Sequence, residues 1–244
     1  MFYFDFIDGK KIMKSDLIKV NHFFTTRETI IKTKEPENLS KVKENKSLIC
    51  KYLGISEENL ISPKQTHTNN VEICNRNKTD YPDTDGLVLT NTRQAVFLNF
   101  ADCTPLIFYD EKLNIGAVSH AGWRGTAGRI GVKTVERMLF AGSNIKNIKA
   151  VIGPAISLCC YNVGQEVLEK LTASVKDFSG LSQAKDGGIY VDLKGINARQ
   201  LFETGIENID ICPYCTCCNN DLFFSYRKEN ATTNRHSAVL YLKN

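Results

Sequence analysis

Hydrophobic residues are most continuous between residues 95 and 121, where two runs, 95–100 and 115–119, are apolar at nearly every position. A strand with one solvent-facing side alternates apolar and polar residues, so continuous runs predict strands that are covered on both faces. Reactive side chains follow these runs: Asp102, Cys103, Asp110, His120, Trp123 and Arg124. Because ligands commonly bind where the strands of such sheets end, residues 95–129 are predicted to carry the active site.

The clearest helical pattern follows directly. Apolar or small residues recur at spacings of three and four from Ala127 to Leu139, with Thr126 placed to cap the start and Gly142 to end the helix. A helix that begins after residues 122–125 would present free backbone N–H groups and the positive end of its dipole beside His120. With Arg124 adjacent, the pattern predicts an anion-binding site.

Shorter patterns on either side predict the remaining elements. Strands are predicted at residues 2–7, 12–13, 86–90, 148–152, 189–193, 222–226 and 238–242, and helices at 36–53, 164–175 and 197–204. The first two strands are predicted to form a hairpin around Asp8 and Gly9, and Gly54 is predicted to end the helix at 36–53. His22, between apolar neighbours, is predicted to be a packed, hydrogen-bonded residue rather than a ligand. Without repeats or a low-complexity linker, residues 1–244 are predicted to form one compact domain of α and β elements.

Composition and charge narrow the expected partners. The 31 basic and 27 acidic residues are spread along the chain, so the net charge of +4 forms no basic stripe and no nucleic-acid partner is expected. The aromatic N-terminus lacks the pattern of a signal peptide, and no apolar run reaches transmembrane length. We therefore expect a cytoplasmic protein without a membrane partner, in which the nine cysteines are thiols or metal ligands. The sequence carries no signal for the oligomeric state.

Three residues can be combined into a catalytic metal site: His67, Cys103 and His120. Two imidazoles and one thiolate suit zinc, and three protein ligands leave the fourth tetrahedral position open. The same residues allow a thiol mechanism, in which Cys103 is the nucleophile, His120 its base, and Asn99 or Asp102 orients the imidazole. A third interpretation makes Cys103 a small buried strand residue and His120 a strand-end cap. The residue pattern by itself leaves all three open.

A second group of cysteines lies near the C-terminus, in the pattern C-x-x-C-x-C-C. Its members are Cys212, Cys215, Cys217 and Cys218. This group could hold a structural zinc by itself or together with Cys159 and Cys160, although structural zinc sites usually combine two spaced pairs and only one is evident here. Zinc base deaminases combine H-x-E with P-C-x-x-C. No histidine of this chain is followed two positions later by glutamate, which excludes that class in its usual form.

Seven motifs together resemble the laccase-domain family. They are QTH (65–67), TDGLVLT (84–90), ADCTPLIF (101–108), HAGWRGTAGRI (120–130), IGPAI (152–156), YNVGQEV (161–167) and FFSYR (223–227). Members of this family are also described as multicopper polyphenol oxidoreductases and as purine nucleoside phosphorylases. The resemblance implies a single α/β domain with mixed β-sheets packed with helices. It also implies zinc bound by His67, Cys103 and His120, with copper as the alternative metal.

The resemblance further implies an activity and residue roles. The family's reactions are phosphorolysis of adenosine, inosine, guanosine and S-methyl-5'-thioadenosine to ribose 1-phosphate and free base, and deamination of adenosine. Purine nucleosides and phosphate are therefore the expected partners. Arg124 and Thr126 are expected to hold phosphate, while Arg227 and Gln65 are expected to contact substrate. Asp102 is expected to support the metal ligands or to transfer a proton beside the catalytic pair Cys103 and His120. Arg227 has a structural ion pair as its alternative role.

Other functions remain open at this point. One is a cysteine-nucleophile hydrolase that uses Cys103 and His120, and another is a non-enzymatic partner with a vestigial cleft. The third is the polyphenol oxidase of the older family name, but a multicopper cluster needs on the order of ten histidines and this chain has four.

Two features depart from the family pattern, namely HFFTTR at 22–27 and the extra cysteines Cys217 and Cys218.

Overall fold

The computed structural model describes residues 1–243. The strands are β1 (Phe2–Ile7), β2 (Lys10–Ser15), β3 (Asn21–Thr25), β4 (Leu60–Ile61), β5 (Val71–Ile73), β6 (Gly86–Leu89), β7 (Ala95–Phe100), β8 (Thr104–Asp110), β9 (Ile115–Ala121), β10 (Ile148–Ile152), β11 (Asn162–Val163), β12 (Ser182–Lys185), β13 (Gly188–Val191), β14 (Ile209–Ile211) and β15 (His236–Tyr241). The α-helices are α1 (Leu39–Leu53), α2 (Trp123–Ala127), α3 (Ile130–Phe140), α4 (Gln165–Thr172) and α5 (Leu193–Glu203).

The strands form two large sheets and one small one. Sheet I has the order β1-β2-β3-β15-β7-β4 and is antiparallel except where β4 joins β7. Sheet II has the order β14-β10-β8-β9-β6-β5, antiparallel at its centre and parallel at both edges. The third sheet is β11-β13-β12. The predicted fold class, an α/β arrangement of mixed sheets packed with helices, is confirmed.

The central strands are covered on both faces because their alternate side chains enter different cores. In β7, Val96 and Leu98 join a core shared by both large sheets, whereas Phe97 packs on the opposite side beneath α1. In β8, Ile107 faces that shared core and Phe108 faces the layer under α3 and α5. Every residue of β7, β8 and β9 is buried. The prediction of doubly covered strands from continuous apolar runs is therefore confirmed.

The helix predicted to start at Thr126 begins earlier and is interrupted. It starts at Trp123 as α2, and the chain breaks at Arg129, whose φ of 58° lies in the left-handed region before α3 begins. The side chain of Asn69 donates a hydrogen bond to the carbonyl of Gly128 at 2.7 Å. A contact with a distant loop thus coincides with the end of the first helix. The prediction that Thr126 caps one continuous helix is wrong.

The strand predicted at residues 222–226 is also wrong. The backbone amides of Leu222 and Phe223 both donate to the carbonyl of Asn219 at 3.0 Å, which closes a turn instead of a ladder. Phe223 and Phe224 are nevertheless buried, at 0% and 2% exposure. The apolar run therefore reflects the burial of two rings and not strand pairing.

Other local predictions agree with the structure. The opening hairpin turns at Asp8 and Gly9, and α1 ends at Gly54 with φ of 69°, the left-handed conformation that glycine adopts readily. His22 is buried and its ring bonds to the carbonyl of Val20 and the amide of Ser15, so it is a packed residue as predicted. Among residues 1–243, no helix is both long and apolar enough to span a bilayer.

Candidate metal centre

Three side chains from separate segments meet at one end of sheet II. His67 lies in the loop between β4 and β5, Cys103 in the turn between β7 and β8, and His120 near the end of β9. One ligand atom from each lies within 4.8 Å of the others, and the two imidazole rings stand edge to face with centroids 4.8 Å apart. The structure thus brings together the three predicted metal ligands, with His67 exposed, Cys103 partly exposed and His120 buried.

Backbone geometry at the centre is strained in two places. His67 has φ of 65° and Asp102, directly before Cys103, has φ of 82°. Residues other than glycine adopt such angles uncommonly, although Asp and His do so more readily than most, and such residues are often found at functional sites. Gly122 completes the close packing, because a Cβ atom there would lie 3.1 Å from Cys103 Sγ and 3.2 Å from His67 Cδ2. The two unusual φ angles and the absence of a side chain at Gly122 thus allow the side chains of His67, Cys103 and His120 to lie close together.

Asp85 organises two of the three ligands and was not singled out from the sequence. It is fully buried, and its carboxylate accepts hydrogen bonds from the amides of Thr66, His67 and Thr68 at 2.8–3.2 Å. The same carboxylate lies 2.8 Å from His120 Nδ1. Since an ionised carboxylate can only accept, Nδ1 carries a proton, and Nε2 is the nitrogen that could bind a metal once it is deprotonated.

The position of Asp85 corrects the thiol hypothesis, which assigned the orienting role to Asn99 or Asp102. Burial alone would raise the pKa of Asp85, but the hydrogen bonds from His120 and from the loop amides outweigh it and lower the pKa to about 2. The residue is therefore ionised at any physiological pH. Its position directly before β6, inside the TDGLVLT motif, was the available signal in the sequence.

Cys103 and His120 form a coupled pair in the metal-free protein. Burial favours the neutral thiol, yet the charge and hydrogen bonds of His120, assisted by His67, lower the pKa of Cys103 to about 6. Burial likewise disfavours the imidazolium, but Cys103 and Asp85 raise the pKa of His120 to about 9. The pair therefore exists as thiolate and imidazolium near neutral pH, so the sulfur is already in the form that binds a metal.

These properties predict the reactivity of Cys103 toward iodoacetamide. In metal-free protein the thiolate predominates above about pH 6, so the alkylation rate should be nearly constant from pH 7 to 9 and fall about tenfold per unit below pH 6. Peptide mass spectrometry after timed alkylation measures this rate. Cys74, whose pKa burial raises to about 12, is the internal control and should stay unmodified. A rate at Cys103 that keeps rising up to pH 9 would contradict the shift.

The donor set fits zinc. Two imidazole nitrogens and one thiolate are borderline to soft donors of the kind that zinc prefers, and within residues 1–243 the cluster contains no fourth histidine, cysteine or carboxylate. An open fourth position is typical of catalytic zinc sites. Copper accepts the same donors, but a multicopper centre would need further histidines nearby. The other two histidines lie elsewhere: His22 packs against β2, and His236 is buried among Phe100, Phe223 and Phe224.

The three ligands line a cleft of about 870 Å³. Its wall carries five basic side chains and one acidic side chain, namely Lys32, Lys34, Arg124, Arg227, Arg235 and Asp102. Arg124 is exposed and lies over the ring of Trp123 at 4.2 Å. Arg227 donates to the carbonyls of Cys160 and Asn162 at 3.4 and 3.1 Å. This excess of positive charge suits an anionic ligand.

The other predicted site residues have different surroundings. Thr126 is fully buried, accepts a hydrogen bond from Asn197 at 3.0 Å and is not part of the cleft wall. Phosphate bound in the cleft would therefore not reach the side chain of Thr126, contrary to the prediction. Gln65 reaches the cleft wall, but its amide pairs with the backbone of Asn99 at 2.8 and 2.9 Å and ties the His67 loop to β7. It therefore positions His67.

Asp102 holds the turn that carries Cys103. Its carboxylate accepts from the hydroxyl of Thr216 at 2.6 Å and from the backbone amide of Arg227 at 2.7 Å. With both oxygens engaged, the contacts favour support of the metal ligand over proton transfer. Arg227 makes no ion pair with a carboxylate of residues 1–243; its hydrogen bonds go to carbonyls.

Tyr161, Lys32, Lys34 and Arg235 also line the cleft and were not predicted. Tyr161 stands in a matched motif, YNVGQEV, but the other three come from segments without a distinctive pattern. Their positions depend on where distant loops meet, which local sequence does not reveal.

Comparison with known proteins shows which proteins this chain is similar to. Residues 26–243 match the family model described as multi-copper polyphenol oxidoreductase laccase. The chain is 32% identical to the adenosine deaminase RL5 of an unknown prokaryotic organism, over 80% of this chain and 79% of that protein. It is also 32% identical to the purine nucleoside phosphorylase YlmD of Bacillus subtilis, over 83% of this chain and 77% of that protein.

Solved structures show the same fold. The crystal structure of the hypothetical protein YfiH from Bacillus licheniformis superposes with a TM-score of 0.89 at 28% identity, and the match covers 98% of this chain and 99% of that one. The agreement in fold therefore extends over nearly the whole chain.

Proposed function

The chain belongs to the multi-copper polyphenol oxidoreductase laccase family, and on that basis we propose that it is a zinc-dependent purine nucleoside phosphorylase with adenosine deaminase activity. Adenosine, inosine, guanosine and S-methyl-5'-thioadenosine are the proposed substrates, with ribose 1-phosphate (or its methylthio analogue) and free base as products. The observation that carries the proposal is the convergence of His67, Cys103 and His120 in a cleft with an excess of basic side chains. Relatives named for both activities add support.

Phosphorolysis imposes two requirements on the protein. A phosphate oxygen bonds to the anomeric carbon while the glycosidic C–N bond breaks, and the purine leaves with that electron pair and takes up a proton. The cleft must therefore hold an anion beside the ribose and provide a hydrogen-bond donor to the departing base. Arg124 and Arg227 supply positive charge at the cleft wall. Zinc held by the three ligands would supply a Lewis acid at its open coordination position.

Tyr161 is the proposed hydrogen-bond donor. It lines the cleft, and burial raises the pKa of its hydroxyl, so the group keeps its proton at neutral pH. A neutral hydroxyl in a partly water-excluded site can donate to a ring nitrogen or to a ribose oxygen.

The deamination reaction uses water instead of phosphate as the nucleophile. Water attacks the purine ring carbon that bears the amino group, and the amino group leaves as ammonia.

The older oxidase name is not supported by the residues present. A multicopper centre needs many imidazoles, and only two of the four histidines reach the cleft. We also propose a cytoplasmic location, because none of the nine cysteines is part of a disulfide, as is usual for a reducing compartment.

The test combines metal analysis with a phosphate-dependence assay on inosine and adenosine. Purified protein should contain zinc at the His67 cluster and release hypoxanthine from inosine only when phosphate is present. His120→Ala should lose the zinc of this cluster and at least about 10²-fold in activity, because one ligand and the bond to Asp85 are removed together. Release of base at an unchanged rate without phosphate would contradict the proposal. Full activity of metal-free protein would instead support a Cys103 hydrolase.

A further inference from the structure

Four cysteines form a second cluster, apart from the three ligands described above. Cys159 and Cys160 lie in the loop between β10 and β11, while Cys215 and Cys218 lie in the long segment between β14 and β15. All four sulfur atoms are within 4.8 Å of one another. Two of the separations are short: Cys218 Sγ lies 3.5 Å from Cys159 Sγ and 3.4 Å from Cys160 Sγ. Residues more than fifty positions apart in the sequence are thus brought to one point.

The separations match one tetrahedral metal ion. Zinc–sulfur bonds of about 2.3 Å in a tetrahedron place the sulfurs about 3.8 Å apart, which falls between the Cys160–Cys218 separation of 3.4 Å and the upper bound of 4.8 Å for the whole group. The short pairs are far longer than a disulfide bond of about 2.05 Å, and all nine cysteines are free. An iron–sulfur cluster would need room for several iron and sulfide ions among the ligands, so a mononuclear site fits better.

The ligand pairs differ from the pattern that the sequence suggested. Cys212, the first cysteine of the evident C-x-x-C, faces the core, where its sulfur lies 3.6 Å from Met13 Sδ. Cys217 lies outside the group of four, although its side chain contacts that of Cys160. Cys215 and Cys218 form the C-x-x-C pair that is used, and the second pair comes from the adjacent cysteines of the other loop. Two pairs from two segments are the usual composition of a structural zinc site.

The surroundings favour negative charge at the cluster. The backbone amide of Ser157 donates to Cys215 Sγ at 3.4 Å, and amide–sulfur bonds of this kind stabilise metal-bound thiolates. Lys194 is only 5% exposed, and its ammonium donates to the carbonyls of Cys212 and Tyr214, in the chain leading to Cys215. Lys194 forms no ion pair with a carboxylate of residues 1–243, but the charge of Asp192 and the thiols of Cys212, Cys215 and Cys159 act electrostatically in favour of its ammonium form. A buried cation needs a compensating anion, and four thiolates on a divalent ion carry a net charge of about −2.

We propose that Cys159, Cys160, Cys215 and Cys218 bind a structural zinc ion. The ion would join two loops that form one wall of the cleft, because Cys160 precedes the cleft residue Tyr161, and Thr216 follows Cys215 and bonds to Asp102. Arg227 spans the same two loops through its bond to the carbonyl of Cys160. The role is architectural and does not depend on which reaction the cleft performs.

The first test counts zinc ions by plasma mass spectrometry in a matched pair of variants. Wild-type protein purified without chelator should hold about two zinc ions per chain, and Cys218→Ser about one, because the loss of one of four thiolates weakens a closed site strongly. Cys217→Ser changes the neighbouring residue in the same way and should keep both ions. Equal zinc content in Cys218→Ser and Cys217→Ser would overturn the proposal.

The second test separates the two sites spectroscopically and does not depend on substituting the cluster. In His120→Ala, the remaining zinc is exchanged for cobalt, which should give the sulfur-to-metal charge-transfer and visible bands of a tetrahedral four-thiolate site. Native protein carrying zinc should also protect the four thiols from a thiol reagent, and a mercurial should release the ion. Four thiols that react freely in the untreated protein would contradict the site. A disulfide among them, or iron in place of zinc, would equally contradict it.

Discussion

Asp85→Asn is expected to abolish zinc binding at the His67 cluster under dilute conditions and, on the proposed function, to reduce phosphorolysis by more than about 10²-fold. Loss of a carboxylate that orients a ligating histidine typically costs about 10- to 100-fold in metal affinity. Here the same carboxylate also accepts three loop amides and the hydroxyl of Thr68. An amide NH₂ in place of one carboxylate oxygen would face these donors, so both His67 and His120 should lose their orientation.

The control for this variant is Asp83→Asn, two residues earlier. Asp83 is exposed, also has a positive φ, and accepts from the side chains of Thr66 and Asn70 on the outer side of the same loop. We expect Asp83→Asn to leave the zinc content and the activity within about twofold of wild type.

Asp85→Asn should also lower the free energy of unfolding by on the order of 3 kcal/mol, because buried donors lose a charged acceptor. Full zinc content and activity in Asp85→Asn would show that the ligands are oriented by other contacts.

Arg124→Met is expected to raise the KM for phosphate by about 10- to 100-fold while adenosine deamination changes little. A hydrogen bond to a charged group contributes about 1.5–3 kcal/mol, and each 1.36 kcal/mol corresponds to about tenfold. The side chain is exposed at the cleft wall, where it lies over Trp123, so methionine preserves much of its length while removing the charge. Only phosphorolysis uses the anion, so the two activities should separate.

Arg137→Met is the matched control for this charge. Arg137 lies on α3, outside the cleft, and its loss removes the same net charge from the protein. Initial rates against phosphate concentration for both variants measure the difference. If both variants raised the KM for phosphate equally, the effect would be one of overall charge. If Arg124→Met reduced deamination as strongly as phosphorolysis, Arg124 would contact the nucleoside instead of phosphate.

Local sequence predicted those features of the site that depend on neighbouring residues. Continuous apolar runs around residues 95–100 and 115–119 predicted buried strands, since a strand without alternation must be covered on both faces. Two imidazoles and one thiol allowed a metal site, a thiol mechanism or a packing role, and only the resemblance of the surrounding motifs to the laccase-domain family selected the metal site. A hairpin turn and a helix end were also predicted where glycine marked them, at Gly9 and Gly54.

Other features depended on contacts that no local pattern encodes. The interruption before α3 coincides with the contact of Asn69 with Gly128, and the run at 222–226 forms a turn because its rings are buried by distant elements. The pairing of Cys159 and Cys160 with Cys215 and Cys218 likewise requires two remote loops to meet. Sequence patterns record propensity and periodicity over a few residues, whereas such contacts follow from the packing of the whole chain.

The sequence by itself therefore predicted the buried central strands, because short-range periodicity carries that information. The mixed sheets and the choice of His67, Cys103 and His120 as candidate ligands followed from the motifs that resemble the laccase-domain family. Only the tertiary structure decided that Asp85 orients two of those ligands, that Thr126 is buried away from the cleft, and that four cysteines converge. The physical reason is that these outcomes depend on distances between segments far apart in the chain, which are determined when the two large sheets pack together.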